Sequence, residues 1–125
     1  MTAALFITVV LAGAIGAVLR YGTATALAGR TRFPYAVLVV NTVGSAIGGA
    51  ALALAEAGVL SADLRLIILT GFCGGLTTFS TFSVETIELV LAGRRRVAAL
   101  NVLGNVALGI GAAAIAFLLT SIIAR

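Results

Sequence analysis

The chain has 125 residues, of which 62% are hydrophobic and 10% charged, with a formal net charge of +4. Ordinary soluble domains carry about a quarter charged residues, so the shortage of polar surface sets a soluble fold aside, and a mean hydropathy of +1.24 agrees. The lack of histidine, and of any nucleophile beside a base, argues against an enzyme.

The first predicted span is Thr2–Leu19. It has no basic leader and its apolar run is too long for a signal peptide, so it reads as a retained membrane span. Arg20 closes it in "GAVLRY". Two readings stand for Arg20: a membrane flank, which the residues alone favour, or a charge that concentrates anions at a mouth. The polar stretch "RYGTATALAGRTRFP" leads to a second span, Ala36–Ala55. "EAGVLSADLR" leads to a third, Leu66 to Ala92, and "GRRR" to a fourth, Val97–Ala124. Each can cross a hydrocarbon core of ~30 Å, which needs about 20 helical residues. The expectation is an all-α membrane protein with four transmembrane helices, forming a single domain over residues 1–125 with no internal repeat.

All basic residues are arginine, and they mostly punctuate apolar runs as membrane flanks do, which argues against nucleic acid as a partner. The first and third loops hold Arg30, Arg32, Arg94, Arg95 and Arg96, against Arg65 and Arg125 on the opposite side. The positive-inside rule then places those two loops in the cytoplasm. The lone Cys73 excludes an intrachain disulfide and reads as a small apolar packing residue.

Small residues recur four apart at Gly44 and Gly48, Ser45 and Gly49, and Gly109 and Ala113. Such ridges let membrane helices approach closely. Four short helices enclose little interior, so the expected use is oligomerisation, with packing inside one chain as the alternative.

The third span is the unusual one. As a continuous helix, Leu66 to Ala92 would run about 40 Å, longer than the ~30 Å core. A break at Gly74-Gly75 followed by Thr77-Thr78 resolves the mismatch, since glycine accepts unusual dihedrals and threonine is a mediocre helix former. Backbone groups freed at mid-membrane need protein, ion or water. Carbonyls there can hold a small hard cation such as Na⁺, and half-helix N-termini favour an anion.

Beyond the break, Phe79 and Phe82 share a face, as do Ser80 and Ser83. The ring edges are positive and can help a desolvated anion, or the rings simply pack in a core. Glu85 lies roughly along the Phe82 face, lining a vestibule or reaching headgroups. Asn41, Asn101 and Asn105 all lie in apolar spans. They read equally as interhelical hydrogen bonds, worth ~0.6–2 kcal/mol each, or as donors along a pore.

The stretches "GAIGAVLRY" (Gly13–Tyr21), "VNTVGSAIGG" (Val40–Gly49) and above all "GFCGGLTTFSTFSVE" (Gly71–Glu85) give the chain its resemblance to the Fluc/CrcB fluoride channels, over nearly its whole length. The resemblance implies an antiparallel, dual-topology dimer with two fluoride pathways and a central structural Na⁺. It implies passive export of fluoride across a cell membrane, the bacterial inner membrane, lowering cytoplasmic fluoride. By match to the motifs, Asn41 is the pore asparagine, and Phe79 and Phe82 line the pathways. Gly74 and Thr77 offer backbone carbonyls to Na⁺, and Arg20 sits near the aqueous vestibule. Ser80, Thr81 and Glu85 fall in the same motif.

The chain departs from the pattern at Ala36 and Val37, where the family often has Gly-Thr. Asn101, Asn105 and Gly109 stand where it commonly has a tyrosine and serines. The implied partners are fluoride, the lipid bilayer and a second copy of the chain, or an oppositely oriented relative given the arginine bias. A small multidrug exporter is the rival four-span reading, but the first span lacks a carboxylate and the chain lacks tryptophan. A non-conducting accessory subunit would need no broken span.

Overall fold

Thr2 starts the first helix: its hydroxyl accepts the Leu5 amide at 3.2 Å and α1 runs Ala3–Leu27. The computed structural model describes residues 2–29 and 33–124. Arg30, Arg32 and Arg125, which carry part of the expected charge bias, lie outside the described residues. α2 (Tyr35–Glu56) follows Pro34. Ser61 caps α3 (Ala62–Leu66) through the Leu64 amide at 3.3 Å, with Asp63 in the first turn, where a helix N-terminus favours negative charge. The same rod continues as a π-helical segment, Ile67–Cys73, and then as α4 (Gly74–Leu76). α5 (Ser80–Leu91) completes the third span, and α6 (Arg95–Ile123) forms the fourth. Gly29, Gly58 and Gly93 each sit just past a span at φ of +70°, +74° and +75°, where a side chain would be strained.

Among the described residues, four helical spans are long and apolar enough to cross a membrane, as the sequence leads one to expect. The chain is an all-α, multi-pass membrane protein. α1 overruns its expected end by eight residues. No proline interrupts "YGTATAL" and Gly22 stays helical, so Arg20 sits inside the helix and does not close it.

The break in the third span falls on the threonines of the expected stretch, Thr77 and Thr78, and not on its glycines. Gly74 has helical dihedrals (φ −61°, ψ −36°), whereas Thr77 is extended (φ −80°, ψ 158°) and helix resumes at Ser80. The glycines serve thinness rather than a bend. A Cβ on Gly75 would strike the Gly13 carbonyl, and one on Gly16 the Phe72 carbonyl. One on Gly71 would lie 2.7 Å from the Val9 carbonyl. α1 therefore packs backbone to backbone along the π-helical segment and α4.

α2 packs along α6, and here the small-residue ridges find their partners within the chain. A Cβ on Gly49 would meet the Ala113 carbonyl, and one on Gly44 the Thr77 methyl. Gly109 faces the Ser45 hydroxyl, 3.5 Å from where its Cβ would stand. Those ridges are occupied by intrachain packing, which corrects the expectation that they serve oligomerisation. Large apolar side chains such as Phe6, Val18, Ile110 and Leu118 point outward, as expected of helices that face lipid or another helix bundle.

Candidate functional site

Thr78 is the joint of the broken span. Its hydroxyl accepts the Thr81 amide at 3.2 Å, so it acts as the side-chain cap of α5. The same hydroxyl donates to Thr81 Oγ1 at 3.1 Å and lies 3.3 Å from Ser80 Oγ. Its backbone pairs with a side chain from α2. The Thr78 amide donates to Asn41 Oδ1 at 2.8 Å, and Asn41 Nδ2 donates back to the Thr78 carbonyl at 3.1 Å. Thr78 is 7% exposed, and its role is one the sequence reading missed. A hydroxyl residue just before a helix start is a cap candidate, but "TTFSTFS" offers several and does not single out Thr78.

These bonds explain how the break frees main-chain acceptors. In an unbroken helix the Thr78 amide would bond the Gly74 carbonyl, and the Thr81 amide the Thr77 carbonyl. Both amides are diverted, to Asn41 Oδ1 and to Thr78 Oγ1. The Gly74 carbonyl loses its helical partner. The Thr77 carbonyl keeps a long contact of 3.5 Å from the Arg20 guanidinium, which reaches across from α1.

Behind Asn41 runs a ladder of carboxamides. The second Asn41 Nδ2 hydrogen goes to Asn105 Oδ1 at 3.0 Å. Asn105 Nδ2 donates to the Asn101 carbonyl at 3.0 Å and to Asn101 Oδ1 at 3.1 Å. Asn101, fully buried at 0% exposure, donates to Thr86 Oγ1 at 3.0 Å, and Thr86 donates to the Phe82 carbonyl at 2.7 Å. Asn101 and Asn105 thus bond across helices, and their side chains join α6 to α2 and α5.

A cavity of about 410 Å³ opens on this framework. Asn41, Thr77, Thr78, Phe79, Phe82 and Asn105 line it, together with Ser45 and Gly109. The rings of Phe79 and Phe82 lie 5.8 Å apart at 46°. Phe79 is 81% exposed on this chain, so its ring is open to whatever adjoins that face. Ser83, on the α5 first turn, donates to the Phe79 carbonyl at 2.8 Å. A second cavity of about 240 Å³ brings together Arg20, Tyr21, Thr81 and Glu85, with Thr78 on its wall too. Thr78 therefore stands between the two spaces. The Oε2 atom of Glu85 is buried without a hydrogen bond among the described residues. The hydroxyl of Ser80 belongs to the Thr78 cluster at the joint. Val37 lines the Arg20 cavity as an apolar wall.

The cavity at the break is lined by carboxamide and hydroxyl side chains and two phenyl rings, and among the described residues no charged side chain lines it. Arg20 contributes its charge on the neighbouring cavity. Such a lining can replace part of the hydration of a small ion without trapping it, since conduction needs sites an ion can leave.

The family model described as "CrcB-like protein, Camphor Resistance (CrcB)" matches residues 7–117. A "Fluoride-specific ion channel FluC" from Saccharophagus degradans is 39% identical over 118 residues, covering 93% of this chain and 89% of that protein. A "Fluoride-specific ion channel FluC 1" from Streptomyces avermitilis is 44% identical, over 83% of this chain and 86% of its own. A "Fluoride-specific ion channel FluC" from Geobacter sulfurreducens reaches 47% over 77% of this chain and 80% of its own. The stretch they share with this chain holds the broken span and the asparagine that pairs with it, and the chain belongs to the CrcB-like protein family.

Proposed function

We propose that this chain forms a fluoride-selective ion channel that passively exports F⁻ and so lowers cytoplasmic fluoride. The observation that carries the reading is the break at Thr77–Phe79, which gathers Asn41, Thr78, Phe79 and Phe82 around one cavity. The relatives named as fluoride-specific channels support the ion. Fluoride is small and strongly hydrated, so close donors must offset its dehydration. Hydroxyls, carboxamide N–H groups and phenyl edges suit it, and α5 adds the positive end of its helix at the break. Arg20, on the adjoining cavity with Thr81 and Glu85, attracts anions toward the break while staying off the lining beyond it.

A structural Na⁺ fits the same break. Two main-chain carbonyls, of Gly74 and Thr77, have lost their helical partners, and a hard cation of low charge takes oxygen ligands of this kind, although at Thr77 it would have to displace the long 3.5 Å contact from the Arg20 guanidinium. Gly74 is exposed on this chain, on a face where a second copy could add its own carbonyl. The bound cation would supply a fixed positive charge and tie two breaks together. The working unit in this reading is an antiparallel dimer with a pathway on each side. The exposed ring of Phe79 supports it, since a second subunit would close the side of the cavity that one chain leaves open.

Purified protein in liposomes should release F⁻ rapidly and Cl⁻ hardly at all. A folded dimer without F⁻ efflux would refute the channel. Efflux of both ions at similar rates would refute the selectivity.

A further inference from the structure

The hydrogen bonds behind Asn41 all run in one direction, and each fixes the next. The terminal torsion of an asparagine is soft, so its carboxamide can ordinarily turn end for end. For Asn41 that turn would set Nδ2 against the Thr78 amide and Oδ1 against the Thr78 carbonyl. Asn105 opposes it by presenting Oδ1, which accepts only a donor. Asn105 is held in turn because both acceptors facing its Nδ2 belong to Asn101. Asn101 is held because the Thr86 hydroxyl spends its hydrogen on the Phe82 carbonyl and so meets Asn101 as an acceptor. Full burial of Asn101 leaves no water to compete.

We infer that Asn105 and Asn101 are positioning residues that hold the helix break open through Asn41. If Asn41 lets go, the Thr78 amide is free to return to the Gly74 carbonyl, as in an unbroken helix, and that carbonyl is withdrawn from a cation. The ladder is then coupled to cation binding although Asn101 and Asn105 offer no ligand to it. This inference rests on the Na⁺ reading above.

The test is thermal unfolding of the purified full-length protein in detergent while Na⁺ replaces a bulky organic cation at constant ionic strength. In the native protein the melting temperature should stay level at low Na⁺ and climb with the logarithm of its concentration once Na⁺ exceeds its dissociation constant, and that crossover concentration is the midpoint. Asn105→Leu, nearly equal in shape, should raise that midpoint about tenfold, and Thr86→Val, at the far end of the ladder, about threefold. A role in stability alone would lower the melting temperature equally at every Na⁺ concentration and leave the midpoint where it was. That result overturns the inference. Should Asn105→Leu fail to fold, Thr86→Val decides. A native protein that conducts F⁻ but shows no Na⁺ midpoint overturns both the cation site and this inference and leaves the channel standing.

Discussion

Thr78 gives its amide and carbonyl to Asn41 and its hydroxyl to the first turn of α5. One residue thereby closes one half of the span and starts the other. Asn41 is its complement, with all three of its polar bonds spent on protein groups. An arriving anion must therefore compete for Asn41's hydrogens with the Thr78 carbonyl and Asn105 Oδ1. Asn41→Asp would put an oxygen against those two acceptors in place of a donor. Losing two buried hydrogen bonds and creating repulsion should cut F⁻ efflux about tenfold or more. Efflux from liposomes, with gel filtration to show an intact fold, measures it. Unchanged efflux would remove Asn41 from the pathway. The polar residues themselves could be picked out from the sequence because asparagine and threonine stand out in an apolar run. Their pairing could not, since Asn41 and Thr78 are 37 positions apart and nothing local announces which helix face meets which.

Between helices, backbone rather than side chain makes the closest contacts. Gly75 lies on Gly13, and Gly49 on Ala113. Gly75→Ala and Gly49→Ala should each destabilise the fold by about 1–3 kcal/mol, because the carbonyl in the way belongs to a packed helix that cannot yield. Gly22 and Gly111, with nothing within 4 Å of a built Cβ, form the contrast. Alanine there should be neutral or stabilising by about 0.5–1 kcal/mol, through helix propensity alone. Thermal unfolding of the four variants checks the pattern, and equal losses at all four sites would contradict it. The same contacts explain why the glycine half of the expected break stays helical. Glycine signals either a bend or a close approach, and composition does not distinguish them. Gly74 and Gly75 sit in helix, while the extended residue is a threonine. The π-helical turns of Ile67–Cys73 carry no residue pattern of their own, so they too stayed hidden.

As a whole the chain is easy to read where hydropathy decides: four spans and short loops. Length is no guide to the break, since α6 runs 29 residues unbroken. What joins one chain to another has no such signal, because a face toward lipid and a face toward an identical subunit are both apolar. Insertion in two orientations makes a separate prediction. Reporter tags on the C-terminus should find it on both sides of the membrane. A single orientation would replace the homodimer with a pair of oppositely oriented relatives, and the five-to-two arginine bias of the sequence gives that outcome its physical basis. The backbone contact between α1 and the third span has a consequence for motion. Gly71 and Gly75 lie on the Val9 and Gly13 backbone, and turning the helix there would bring a bulkier neighbour against it, so the two travel as one body. Rocking of helices, on the microsecond-to-millisecond scale of alternating-access carriers, finds no loose seam there. The parts left to move are side chains, such as the ring of Phe79, whose rotamer changes take picoseconds to nanoseconds where it stays uncovered. A fixed frame with fast fittings is built for throughput.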